Sequence, residues 1–328
     1  MKNVLIPPIV DYRFLKQLPQ QMAEQFANNG YKVHYCNMYP VNKSVIEVSD
    51  NLTVYNDCKV FLNLFKSKKM KIDIFYNTWA KNYNWLPTIK PDITIYHSCD
   101  MFEEWTAFEP LIMKQSDVVL ATSQMIYDER RKNHDNVHLV RNACNESMIN
   151  AEWKCPEDIA KIENPIGLFS GAIGNWVKTF LLSEASNHCN TVLVGSEFGK
   201  QRPQKMINLG IKKHSDLVNY YNASDIGLLP FNVNSTVTQA ANPIKMWEYL
   251  ACGLPVLATS WVETDLPELK DVVFTANETD KFIEKLNMLL NLNENEKKQI
   301  SEKAKEIARN NTWEKRFKQV EDIIKNLK

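Results

Sequence analysis

The chain has 328 residues, enough for two domains that each bury a core, and 44% hydrophobic with 24% charged residues excludes wholesale disorder. Lysine plus arginine equals aspartate plus glutamate at 39 each, so no global field recruits nucleic acid or anionic lipid. The seven cysteines are scattered and form no Cys-x-x-Cys, which reads as reduced thiols and not as a disulfide framework or a zinc site.

Residues 3–6 read as a first strand. Leu15, Leu18, Met22 and Phe26 then recur at helical spacing up to Gly30, which stands where a helix-ending glycine belongs. Short runs at 31–36, 72–76, 92–97, 117–121 and 137–140 predict further strands, with helical stretches such as 123–132 between several of them. The stretch 150–164 is polar without strong periodicity and predicts a domain boundary. A second series follows, with strands at 165–170, 191–195, 225–230, 255–259 and 272–275 and helices near 177–187, 216–222, 243–251 and 278–290. From Glu294 the chain is charged and helical, and Trp313, Phe317, Val320, Ile324 and Leu327 mark a final amphipathic helix. Strands alternating with helices predict an α/β protein with parallel sheets. The expected division is 1–163, 164–309 and a last helix at 310–328 that packs back on the first domain. The apolar part of the first eight residues is too short for a signal peptide, and no stretch approaches the roughly 20 apolar residues that span a bilayer. A cytoplasmic protein is expected, with peripheral contact at the inner face of a membrane, or with polysaccharide-assembly partners, left open.

Only Gly30 precedes the boundary, while eight glycines follow it. Close backbone approach to a phosphate usually needs glycine, so the second half is the expected home of a nucleotide. Neither Gly-x-Gly-x-x-Gly nor Gly-x-x-x-x-Gly-Lys-Ser/Thr is present, which disfavours dinucleotide dehydrogenases and P-loop enzymes. The most informative stretch runs from Ala241 to Val256, Ala-Asn-Pro-Ile-Lys-Met-Trp-Glu-Tyr-Leu-Ala-Cys-Gly-Leu-Pro-Val. Asn242 reads as a helix N-cap and Pro243 as the first helical residue, so Ile244 and its neighbours offer free N–H groups to an anion. Lys245 lies in the first turn, where the helix dipole disfavours a cation unless an anion is bound. Glu248 is three residues on and shares its face. A lysine for phosphate and a carboxylate for a ribose diol would form a nucleotide-binding face, although spacing alone equally allows a surface ion pair. Lys178, after Gly171-x-x-Gly174 at a predicted helix start, is either a second phosphate partner or a solvated lysine. No Asp-x-Asp occurs, so no metal site is expected, and the charge of a bound phosphate would then be met by Lys245, a helix N-terminus and, in the first of its two readings, Lys178.

Asn-Pro-x-Lys-x-x-Glu-Tyr-Leu-Ala-x-Gly-x-Pro-Val resembles the signature of bacterial family 4 glycosyltransferases that build surface polysaccharides. Tyr220 to Phe231 resembles the strand that leads into it, Gly171 to Trp176 and Val192 to Gly195 resemble the domain-opening strands, and Arg141 to Asn145 looks like the family's Asn-Gly-Val-Asp turn. The resemblance implies the GT-B fold, two Rossmann-like domains facing each other across a cleft, with a nucleotide diphosphate sugar as donor and no cofactor. It implies a glycan, lipid-linked or protein-linked acceptor, and retention of anomeric configuration. Gly171, Gly174, Lys178, Gly195, Asn242, Pro243, Ile244, Lys245 and Glu248 would bind the donor, with the base against Gly210 and Ile211; uracil and guanine are both left open, UDP being the commoner. The family often has two glutamates separated by seven residues, and counting back from Glu248 the partner position is Ala240.

In the first half, His97 and Asp100 follow a predicted strand, and polar residues at the carboxyl end of a parallel strand face the ligand crevice. Asp100 would orient or deprotonate an acceptor hydroxyl and His97 would touch the reacting sugar. The alternatives are a helix cap for Asp100 ahead of 102–114 and a satisfied strand-end histidine for His97. Glu103, Glu104 and Glu109 read as solvated helix residues, and the remaining histidines show no metal-ligand spacing. The loop after the first strand, with Asp11, Tyr12 and Arg13, either lines the acceptor side or is a plain connection. Two rivals share these features: a sugar-nucleotide epimerase of the same fold, which needs more acid/base groups than can be assembled here, and a catalytically silent partner subunit, for which the missing carboxylate at Ala240 speaks.

Overall fold

The computed structural model describes every residue except Val41, Lys43 and Lys328. The chain forms two compact units, one of residues 1–141 with the last helix and one of residues 142–312. Among the described residues the first contains eight strands: β1 Asn3–Ile6, β2 Lys32–Cys36, β3 Val45–Ser49, β4 Leu52–Tyr55, β5 Ile74–Asn77, β6 Ile93–Ser98, β7 Val118–Ala121 and β8 Val137–Leu139. Their order is β3-β4-β2-β1-β5-β6-β7-β8, with β3 antiparallel to β4 and every other pair parallel. β1, β5, β6 and β7 are buried along nearly their whole length, as strands covered by helices on both faces must be. The β3–β4 hairpin was not predicted. β3 is largely exposed at the sheet edge and so lacks the hydrophobic run that marks the other strands.

The helix Leu18–Asn28 starts with Pro19 in its first turn and ends at Gly30, whose φ of 81° closes it. Against it packs the final helix Trp313–Asn326: Phe317 meets Phe26 edge to face at 5.1 Å, and Gln319 and Arg316 donate to the Leu139 and Arg141 carbonyls. The single helix predicted over 102–114 is instead a turn at Glu103–Trp105 and a short helix Glu109–Met113. Pro110, which cannot donate within a helix interior, falls in the first turn of the latter.

The second unit has six strands, β9 Ile166–Ile173, β10 Asn190–Glu197, β11 Ile207–Asn208, β12 Ile226–Leu229, β13 Val256–Ala258 and β14 Val273–Thr275. They lie in the order β11-β10-β9-β12-β13-β14, all parallel. The units divide at Arg141/Asn142 and Thr312/Trp313, not at 163/164 and 309/310. Residues 142–163 are polar, but Met148 and Ile159 join the core of the second unit, and Tyr220 donates to Asp158. Two apolar anchors and one carboxylate fix a segment whose average composition looks like a linker. Among the described residues, no helix is long and apolar enough to cross a membrane.

Candidate functional site

In the second unit, the helix Ile244–Ala251 stands between β12 and β13 and packs against the helix Glu294–Arg309. Pro243 is its N-cap, in extended conformation, and Asn242 lies one residue outside. The Asn242 side chain is not used as a cap: its Oδ1 accepts from the Trp247 indole at 2.9 Å and the Asn142 amide at 3.1 Å, and its Nδ2 donates to Glu263 at 2.6 Å. Asn242 therefore locks the entry of the helix to residues far away in sequence, and leaves the first-turn N–H groups without a side-chain cap.

Lys245 rises from that first turn against aromatic faces, its Nζ 4.3 Å from the centre of the Phe169 ring and 5.4 Å from that of Phe231. Phe231 is held by stacking on Trp261. Gly171, at the end of β9, leaves the amine its room, because a Cβ there would lie 2.7 Å from Nζ. Among the described residues nothing accepts a hydrogen bond from the amine, and no carboxylate pairs with it. Burial lowers its pKa to about 8, against a smaller upward pull from Glu248. An unpaired cation in a desolvated, aromatic-walled position at a helix N-terminus is a receptor for an anion.

Glu248, one turn on, is buried at 3% exposure, so the surface-pair alternative does not hold. Its Oε2 accepts from Tyr221 at 3.0 Å and its Oε1 meets His214 Nε2 at 2.6 Å. The Tyr221 hydroxyl also lies 3.1 Å from Ser170 Oγ on β9, so the carboxylate is fixed from two sides. His214 closes the loop that carries Gly210 and Ile211. Lys212 in the same loop is tied to Asp158 at 2.7 Å. The structure thus brings the predicted base loop and the predicted ribose carboxylate together, and Ile211 stands 61% exposed beside them. Tyr221, Phe169 and Phe231 were not singled out from the sequence, and His214 entered only as the end of the predicted base loop: a phenylalanine that walls a lysine looks the same as any core residue until its partners are known.

The glycines divide by role. Gly195 faces Gly171 across β10 and β9, and any Cβ on it would sit 1.9 Å from the Gly171 carbonyl oxygen. That makes room for the strand ends to approach at the carboxyl edge of the sheet. Gly174 has another reason: a Cβ there would strike the Trp176 ring at 2.4 Å, so the glycine serves to seat tryptophan. Lys178 caps the short helix Thr179–Ala185 with its backbone, its amide donating to the Pro230 carbonyl.

In the first unit, the structure corrects the reading of His97. The ring is fully buried, its Nε2 lies 3.1 Å from the Val140 carbonyl and its Nδ1 lies 2.5 Å from the Tyr76 hydroxyl. A carbonyl can only accept, so Nε2 carries the proton and Nδ1 accepts from tyrosine. Burial pushes its pKa down to about 4. This is a neutral core histidine with both nitrogens engaged, and it has nothing left for a sugar. Asp100 differs: it is half-buried beyond the end of β6 and caps no helix, since Phe102 precedes the next turn. Burial pushes its carboxyl up to about 6, opposed by a hydrogen bond from Cys99. That is the property of a group able to exchange a proton near neutrality. Glu109, read as solvated, is buried instead. It pairs with Arg130 and accepts from Tyr96 at 3.1 Å beneath the same strand. In the loop after β1, Asp11 accepts from the Met38 and Tyr39 amides, and the Tyr12 hydroxyl donates to Glu24. Arg13 is exposed. Among the described residues, no group of three or more His, Cys, Asp or Glu side chains could hold a metal ion.

Residues 178–322 match a family described as glycosyl transferase-like. TuaH of Bacillus subtilis, named as a teichuronic acid biosynthesis glycosyltransferase, is 25% identical over 230 residues, which are 64% of this chain and 57% of that protein. Sucrose-phosphate synthase of Thermosynechococcus elongatus superposes with a TM-score of 0.72 at 16% identity, covering 100% of this chain and 99% of the other. HepE of Anabaena, solved in complex with UDP, gives 0.70 at 14% identity over 99% of this chain and 100% of that one. The fold is that of the GT-B glycosyltransferases. The matched stretch covers most of the second unit and runs on into the final helix.

Proposed function

We propose that the protein transfers a sugar from a nucleotide diphosphate donor, with UDP as the base-bearing part, to a glycan, lipid-linked or protein-linked acceptor, with retention and without a metal. The observation that carries this reading is the unpaired Lys245 amine one turn from the fixed Glu248 carboxylate. HepE, similar in fold, has been solved with UDP-glucose as well as UDP, which supports a donor of this class. In the proposed reaction the bond from the anomeric carbon to the β-phosphate oxygen breaks, its electron pair stays on phosphate, and the acceptor oxygen forms the new bond on the face the phosphate leaves, its proton passing to Asp100 or to the departing phosphate oxygen. Lys245 and the helix N-terminus take up the charge that gathers on phosphate. Asp100 is assigned to the acceptor hydroxyl, as its orienting group or proton acceptor.

Nucleotide release from a panel of UDP- and GDP-sugars, followed with and without EDTA, tests the reading. One UDP-sugar should be turned over at a rate EDTA leaves nearly unchanged. Binding without turnover of any donor would make the chain a silent partner subunit, epimerised donor would make it an epimerase, and dependence on added manganese would remove the metal-free mechanism.

Glu248 has a distinct signature. A ribose diol carries the same charge before and during transfer, so its carboxylate contributes uniform binding. Glu248→Gln should raise the donor KM about 10–100-fold, the worth of hydrogen bonds to a charged group, with a smaller change in kcat. A fall in kcat at unchanged KM would place Glu248 at the reacting centre instead.

A further inference from the structure

The loop that follows β5 stands beside Asp100 and carries a lysine set against aromatic rings much as Lys245 is. β5 and β6 are parallel neighbours, with Asn77 opposite Tyr96, and just past their ends the Cys99 thiol donates to the Thr78 carbonyl at 3.8 Å. Trp79 and Asp100 each come one residue after that contact. The loop is held from within: Asn77 Oδ1 accepts from the Trp79 amide at 3.1 Å and from Asn82 Nδ2 at 3.0 Å, and Asn82 also donates to the Pro8 carbonyl at 2.9 Å. Both asparagines are buried. On the turn so fixed, Ala80–Trp85, the half-buried Lys81 sets its Nζ 5.5 Å from the centre of the Trp79 ring and 5.2 Å from that of Phe108, which stacks on Tyr83. Ring faces attract the charge but offer its three N–H groups no lone pair. Among the described residues no oxygen accepts from this amine and no carboxylate lies within ion-pair distance of it, so its donors are left for solvent or for a ligand.

We infer that Lys81 receives a negatively charged group of the acceptor, a carboxylate or a phosphate, and that the acceptor substrate is therefore an anion. This rests on the assignment of Asp100 to the acceptor hydroxyl in the proposed reaction. An ionised Asp100 repels such an acceptor by itself; a cation on the adjoining loop offsets that repulsion and sets which way round the acceptor lies. The bonds of Asn77 and Asn82 order the loop before the ligand arrives, so little ordering is left to oppose binding. Trp79 and Phe108 beside the amine suit an apolar surface, which the face of a pyranose ring and an alkyl chain both present. An acidic sugar and the phosphate of a lipid carrier share this chemistry, and a lysine takes either group because it acts as a point charge.

Calorimetry on the full chain tests this with three probes of one alkyl length: octyl glucuronide, octyl phosphate and the neutral octyl glucoside. UDP is kept saturating, so that the anion site assigned to Lys245 is filled and the probes report on the first unit. Wild type should bind one acidic probe roughly tenfold more tightly than octyl glucoside, and the preference should shrink as salt is raised. Tighter glucuronide supports the inference with an acidic sugar as the source of the charge, and tighter octyl phosphate supports it with a lipid carrier. Lys81→Met should lose the preference while binding octyl glucoside as before and UDP within about twofold of wild type, and Lys81→Arg should keep the preference. A wild type that binds neither acidic probe more tightly than octyl glucoside overturns the inference, and this arm stands even where Lys81→Met does not fold. So does a preference that survives in Lys81→Met, or one lost together with octyl glucoside binding, the mark of a lysine that only braces the loop. Should the wild type bind no UDP, the donor reading itself fails and takes the inference with it. Normal UDP binding without an acidic preference sinks the inference alone.

Discussion

Replacement of Lys245 by alanine should lower turnover about 10²–10³-fold, the cost of losing a donor aimed at charge that develops in the transition state. The β-phosphate gains charge as the glycosidic bond breaks, so the amine holds it more tightly there than in the bound donor, and the loss should fall on kcat more than on KM. The same residue sets a pH limit. With its pKa lowered to about 8 by burial against Phe169 and Phe231, the free amine loses its proton as pH rises through that value, and kcat/KM for the donor should fall above it. A bound phosphate favours the charged form, so the limb in kcat should lie at higher pH. The sign for stability is the reverse of the usual lysine case. Because the folded-state pKa is below the unfolded value, the unfolded chain binds more protons between about 8 and 10.5, and stability from this residue rises with pH across that window. Below it the buried charge is a net burden, so Lys245→Met should melt at a higher temperature than wild type at pH 7 while losing turnover. If the alanine variant changes only KM, the lysine is not on the leaving phosphate; if the methionine variant melts lower, the amine has a partner in the free protein.

Changing Asp100 to asparagine should cost about 10²-fold in turnover, at the lower end of what a positioned proton acceptor contributes, with donor affinity unchanged. Its carboxyl is held near pH 6 by burial beyond the end of β6, so the wild-type kcat/KM for acceptor should rise as pH increases through about 6. Together with the alkaline limb from Lys245, which bound donor moves above 8, the profile should be a bell. Asp100→Asn keeps the shape and removes the ionisation, so the acid limb should vanish while the alkaline limb stays. Persistence of the acid limb in that variant would assign it to another group. His97 is not a candidate for it, since both of its nitrogens are engaged inside the sheet.

Several features were legible because they depend on neighbours in the chain. The alternation of strands and helices, the parallel sheets, the helix at 244–251 and its closure by Gly253 all follow from local periodicity and from proline and glycine positions. So did the nearness of Lys245 and Glu248, which a single helical turn enforces. What sequence could not decide was which side chains met partners from other elements. His97 and Asp100 stand three residues apart at the end of one strand, yet the first is sealed by Tyr76 and Val140 and the second is left to titrate. The same holds for Glu248, which belongs to a buried network because Tyr221 and His214 reach it from 27 and 34 residues away. It holds too for the segment 142–163, where Met148 and Ile159 decide its unit against its polar average. Local structure is fixed by spacing along the chain, whereas burial, and with it charge state and proton affinity, is set by groups that only the tertiary fold brings within a few ångströms.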